Sequence, residues 1–128
     1  MIVPDNPYNE LSIMLIRNDQ IKVFADIKRQ VFVMDQLQWI KEKYPHYTEG
    51  VDDDQIAQKI SDLISFFGNY RVKKMIDLER LIRLSITHNY DVAKFKESKH
   101  ILAIFSFPGR SADDIFFNLF KYLTSEHT

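Results

Sequence analysis

Residues 52–88 read DDDQIAQKISDLISFFGNYRVKKMIDLERLIRLSITH, and the spacing of their apolar positions decides the fold. Ile56, Ile60, Leu63 and Phe67 recur at intervals of three and four, which places them on one face of a helix from about Asp53 to Phe67. The triplet Asp52-Asp53-Asp54 sits where the helix dipole is positive, and Asp52 with Gln55 has the spacing of a capping box. Gly68-Asn69 supplies the left-handed residue that commonly closes a helix. Met75, Leu78, Ile82 and Ile86, with Leu81 widening the face, then predict a helix over Val72–Thr87, with Asn89 as a second left-handed cap.

Upstream, Phe24, Ile27, Val31, Met34, Leu37 and Ile40 predict a long helix from about Asn18 to Tyr44, leaving Lys28, Arg29, Asp35, Gln36 and Lys41 largely off its apolar stripe. Asn18 or Asp19 can cap it, and Pro45 ends it by disfavouring the helical conformation at Tyr44. Residues 1–9, with two prolines and two asparagines, read as an irregular arm, and residues 11–16 as a short strand or an early helical turn. Downstream, residues 90–98 read as a polar connection. The run Ile101 to Phe107 suits a short buried helix or a strand. Pro108-Gly109 forces a turn, Ser111 with Asp114 forms a cap, and a last helix runs from about Ala112 to Leu123 with Ile115, Leu119 and Leu123 inward.

Amphipathic helices of this length are marginal alone and are buried by packing on one another. The expectation is an all-α single domain over residues 1–128, a compact bundle of about five helices with an ordered core at about 11–124. All three glycines and all four prolines stand at the boundaries of these runs, where their cost to a helix is avoided. The absence of cysteine removes disulfides, thiolate nucleophiles and Cys-ligated zinc. Seventeen basic and eighteen acidic residues give a net charge of -1, which argues against a dedicated polyanion binder. The N-terminal residues lack the basic and apolar regions of a signal peptide, and Ile13-Met14-Leu15-Ile16 is too short to span a bilayer, so a cytoplasmic protein without membrane insertion is expected.

No arrangement of residues points to catalysis or to a cofactor. His46, His88, His100 and His127 lack the spacing that puts two ligands on one helical face. The nucleophile-elbow turn is missing, the glycines are too scattered to cradle a phosphate, and the aspartate triplet lacks the alternation of a calcium loop. Two surface groups stand out instead. Glu49, Asp52, Asp53 and Asp54, with the aromatics Trp39, Tyr44 and Tyr47 expected to be exposed, form a candidate partner-binding corner. Arg71, Lys73, Lys74, Arg80 and Arg83 are the candidate set for a helix-turn-helix-like nucleic-acid regulator. Helical spacing also pairs Lys73 with Asp77 and Glu79 with Arg83, as on a solvated face.

Across most of residues 11–124 the plan resembles a family. Met14-Leu15-Ile16-Arg17-Asn18-Asp19-Gln20 is similar to its opening Leu-x-Ile-Arg-x-x-Gln type segment, Phe32 with Tyr44-Pro45 to its Phe…Phe-Pro first helix, and Phe67-Gly68 to its Tyr-Gly-Ile. Leu84 with Tyr90-Asp91 is similar to its Leu…Gly-x-Asp-Phe-Asp exit, and Arg110 to Ile115 to its capped last helix. Asn89 stands where that family usually has Gly, the exit loop is shorter, and no Ile follows Gly68. The family is a little-characterised set of small all-helical bacterial proteins often encoded beside type VI secretion spike and effector genes. The resemblance implies a helical fold and an accessory or immunity-type partner of a secreted effector, with no catalytic residue. The expected function is a non-enzymatic protein-binding module whose partner is another protein, such as an effector or spike component. Nucleic acid is the alternative partner, and self-association is compatible with both.

Overall fold

A computed structural model describes residues 7–125, with side chains from Ala25 onward. Among the described residues there are seven helices and no strand: α1 (Pro7–Lys43), α2 (Pro45–Thr48), α3 (Asp53–Asn69), α4 (Met75–Thr87), α5 (Val92–Glu97), α6 (Lys99–Ser106) and α7 (Ala112–Thr124). The contacts group the chain into two units, Met1–Asp35 and Gln36–Thr128. Helices α2–α7 and the last turns of α1 belong to the second.

Helix α1 departs most from expectation. Of the two readings of residues 11–16 the helical one holds, while Pro7–Asn9 belong to the helix and not to an arm. Asn18 and Asp19 lie inside α1 and not at its start. The stripe is also misplaced, because Ile27, Val31 and Met34 are 51%, 55% and 56% exposed, while Phe32, Val33, Gln36, Leu37 and Ile40 are buried. The reason is arithmetic. At about 100° per residue, Ile27, Val31 and Met34 fall within about 60° of one another, but successive three-residue steps carry Leu37 and Ile40 about 60° and 120° further round. They join the buried face with Val33 and Gln36, and the three residues before them are left outside. Phe24 lies outside the described side chains.

In the second unit the predicted faces of α3 and α7 are buried as read: Ile56, Ile60, Leu63 and Phe67 on α3, and Ile115, Leu119 and Leu123 on α7. On α4, Leu78, Leu81, Ile82 and Ile86 are buried but Met75 is exposed. Helix α3 packs on α4 and α5, α4 on α7, and α6 on both α5 and α7. The expected polar connection at 90–98 is instead helix α5, which carries Phe95 into the core, and residues 101–106 are helical. Both short helices begin on a side-chain cap, Asp91 accepting from the Lys94 N–H and Ser98 from the Ile101 N–H. Ser111 and Asp114 form the expected capping box of α7.

Phe67 lies at the centre of an aromatic cluster, with Phe66, Phe95 and Phe105 at ring-centroid distances of 5.8, 6.0 and 5.6 Å. Asn89 is left-handed as expected (φ 57°), whereas Gly68 and Asn69 remain helical and the left-handed residue that closes α3 is Arg71 (φ 69°). The Arg71 N–H donates to the Gly68 carbonyl and the Val72 N–H to the Phe67 carbonyl, the paired closing bonds of a helix C-terminus.

Two substitutions test this packing in chemical denaturation. Phe67→Ala should lower stability by about 3–5 kcal/mol, as for a wholly buried aromatic. Gly68→Ala should raise it by about 0.5–1 kcal/mol, because Gly68 is helical and a Cβ there meets nothing within 4 Å.

Candidate functional site

The acidic and aromatic residues predicted from sequence gather where α1 ends, α2 turns and α3 begins. Tyr44 leaves the helical region at φ -134°, so Pro45 ends α1 as expected, and Pro45 then opens the four-residue α2. Glu49, Asp52, Asp53 and Asp54 are all exposed. Asp53 pairs with Lys41 at 3.0 Å and Glu49 faces His46 at 3.9 Å, both at the surface, where such pairs contribute little. Asp52 stands at the N-cap of α3 but makes no side-chain cap bond, so the expected capping box with Gln55 is not formed; the Gln55 N–H donates instead to the Asp52 backbone carbonyl. The dipole accounts for Asp53 and Asp54 in the first turn, and it leaves the carboxylates turned to solvent.

The aromatics are less free. Trp39 is half-buried, with the Arg83 guanidinium 4.3 Å over its ring and the Tyr44 ring 5.4 Å away. Tyr47 is half-buried beneath the Lys59 ammonium, 5.7 Å from its ring. Tyr44 presents the most open ring of the three, at 36% exposure.

The basic set does not form one free surface. The Arg80 guanidinium donates to Asp77 at 3.0 Å and to Asp113 at 2.6 Å, and lies 4.8 Å over the Phe116 ring. The Asp113 hydrogen bond raises the Arg80 pKa above its ordinary value, against the effect of burial. Arg83 pairs with Glu79 at 3.0 Å as expected, and its Nε donates to the buried Gln36 Oε1, also at 3.0 Å. Asp77, expected opposite Lys73, accepts from Arg80. That leaves Arg71, Lys73 and Lys74 exposed, and the first turn of α4 presents Met75 and Ile76, both exposed and apolar. A base-reading helix needs polar groups at that turn.

Among the described residues no three His, Asp or Glu side chains gather to hold a metal ion, and no helix is long and apolar enough to cross a membrane. His46 faces Glu49, the His88 Nδ1 lies 3.0 Å from the Leu84 carbonyl, and His100 stacks on Tyr122 at 4.4 Å; His127 lies outside the described residues. Sequence reasoning missed Phe107, Arg110 and Lys121, which line grooves beside α6 and α7. The signal available for them was the Pro108-Gly109 turn, which leaves an aromatic and an arginine flanking a break between helices. The chain matches no protein-family model, no curated protein and no solved structure.

The cap assignments can be checked in urea unfolding. Ser111→Ala should cost about 1 kcal/mol, since it breaks a capping box. Asp52→Asn should cost no more than a few tenths of a kcal/mol, from its interaction with the dipole alone.

Proposed function

We propose that this chain is a non-enzymatic protein-binding module. The observation that carries the reading is the apolar face of α1 at Ile27, Val31 and Met34, each more than half exposed on one side of a helix. A soluble helix normally turns such a face inward, and contiguous apolar surface left outside is the usual mark of a contact with another protein. The acidic corner at Glu49 and Asp52–Asp54 is a separate contributor. Its carboxylates cap no helix, and charges of this kind steer encounter more than they add affinity. The family resemblance narrows the proposal to an accessory or immunity-type partner of a secreted bacterial effector, acting by occupying a surface of that effector.

Affinity capture with the tagged full chain tests the proposal, with bound protein identified by mass spectrometry and bound nucleic acid quantified. One stoichiometric protein is expected, with its recovery lost in Val31→Glu. Recovery indifferent to Val31→Glu removes the α1 face, and nucleic acid without protein brings forward the helix-turn-helix alternative. With the purified partner, Asp52→Asn, Asp53→Asn and Asp54→Asn together should slow association, and added salt should do the same to the unmodified chain. Val31 is exposed, so its substitution should move stability by no more than about 0.5 kcal/mol, and loss of capture will not reflect unfolding.

A further inference from the structure

Four arginines of the second unit lie between α3 and the start of α7, and they divide into two kinds. Arg80 and Arg83 are held by carboxylates. Arg71 and Arg110 make no ion pair with another described residue, and both line one groove of about 580 Å3 beside Tyr70 and Phe107. Arg110 and Phe107 also line a second groove of about 750 Å3, whose other walls include His100, Lys121 and Tyr122. Among the described residues, no carboxylate lines either groove. The two grooves therefore share one cation and one ring, with further cations on both sides.

Arg110 is placed with some precision. It follows Gly109, whose φ of 78° is left-handed, and precedes the α7 cap Ser111. Its guanidinium carbon lies 4.7 Å from the centre of the Phe107 ring, which is itself 60% exposed. Stacking on a ring orients the planar fork and lowers the entropy cost of using it. Yet the Arg110 Nη1 is buried with no hydrogen-bond partner among the described residues. The Arg80 Nε is also buried without a partner, but Asp77 and Asp113 hold that guanidinium, whereas no carboxylate among the described residues pairs with Arg110 and its unmet donor carries a desolvation cost. An oxyanion is the complementary group, since a guanidinium binds carboxylate and phosphate through parallel charge-assisted hydrogen bonds.

Arg71 adds an independent observation. Its left-handed conformation is one that L residues other than Asn and Asp rarely adopt, and glycine would hold it without strain. The chain places an exposed arginine there, at the rim of the same groove.

We propose that Arg110, stacked on Phe107, anchors an oxyanion-binding site flanked by Arg71 in one groove and Lys121 in the other. Its ligand bears a carboxylate or a phosphate, and an apolar or planar portion can lie on Phe107 and Tyr70. This site is independent of the protein-binding proposal, because a free anion is enough to occupy it.

The test is an NMR titration of the full-length chain, following backbone amides and arginine Nε–H signals. Pyrophosphate serves as the phosphate probe, glutarate as the carboxylate probe, and sodium chloride of matched ionic strength as the control. Saturable shifts are expected at Arg71, Phe107, Arg110 and Lys121 with one or both probes and not with chloride. Saturation by pyrophosphate alone assigns the phosphate source, and by glutarate alone the carboxylate source. Arg110→Gln should weaken binding by about tenfold or more, the loss expected for a charge-assisted contact. Lys121→Gln, which leaves the Phe107 stack untouched, should weaken it severalfold and serves if the Arg110 variant does not fold. Arg71→Gly separates strain from function: the urea midpoint should rise while affinity for the same probe falls. Shifts that never saturate, that chloride reproduces, or that survive both Arg110→Gln and Lys121→Gln unchanged overturn the proposal.

Discussion

The second unit depends on the contact of four phenylalanine rings. Phe66 and Phe67 come from α3, Phe95 from α5 and Phe105 from α6, and all four are buried. Phe66 stacks on Phe95 with its ring 5.6 Å away and meets Phe105 edge-on at 5.4 Å, while Tyr70 and Tyr90 close the cluster's margins. Aromatic pairs in these offset and edge-on arrangements are worth about 0.5–1.5 kcal/mol each beyond the area they bury. The cluster explains why such short helices exist at all. Helices of six and eight residues have no stability of their own in water. They persist because each delivers one ring to the cluster and because Asp91 and Ser98 fix where each begins.

Around this core the polar groups are arranged to connect elements. Arg80 reaches from α4 to Asp113 on α7, and Arg83 reaches from α4 to Gln36 and Trp39 on the last turns of α1. Gln36 is 2% exposed, which would be costly for a primary amide left unpaired. The Arg83 Nε supplies the donor that its carbonyl oxygen needs. These two arginines are thereby committed to structure. The distinction between arginines that are paired with described carboxylates and arginines that are not is chemically more informative than the number of basic residues, which is balanced by acids overall.

The sequence was legible where one regular pattern governed a whole element. The stripes of α3 and α7, the Ser111–Asp114 box and the left-handed Asn89 all follow from spacing and residue type alone. Helix α5 was hidden because one apolar ring, Phe95, stands among Lys94, Lys96 and Glu97, and a single residue has no periodicity to detect. The α1 stripe failed because Leu37 and Ile40 are reached by steps of three, which rotate steadily away from the face occupied by Ile27 and Val31. The acidic corner was visible as a composition, but the uncapped state of Asp52 was not, since it has the residue type and spacing of a cap and does not act as one. The grooves at Phe107 and Arg110 depend on tertiary packing that no local pattern encodes.

The end of α3 shows most clearly where local preference and the observed fold part. Gly68 lies in the last helical turn, and three residues later Arg71 takes the left-handed position that glycine suits best. Each choice costs about 1 kcal/mol against the reverse arrangement, glycine in the helix and a branched-out side chain in the left-handed region. Open space beside Gly68 means that no close approach of neighbouring atoms requires a glycine there. The position of the turn is set instead by Phe66 and Phe67, which must enter the core, and by Val72, which is buried just beyond it. Between them the chain has to reverse at residue 71, whatever side chain stands there. Packing therefore accounts for the turn but not for the arginine. The left-handed arginine at the rim of this groove stands at a position whose residue type the packing of α3 does not dictate.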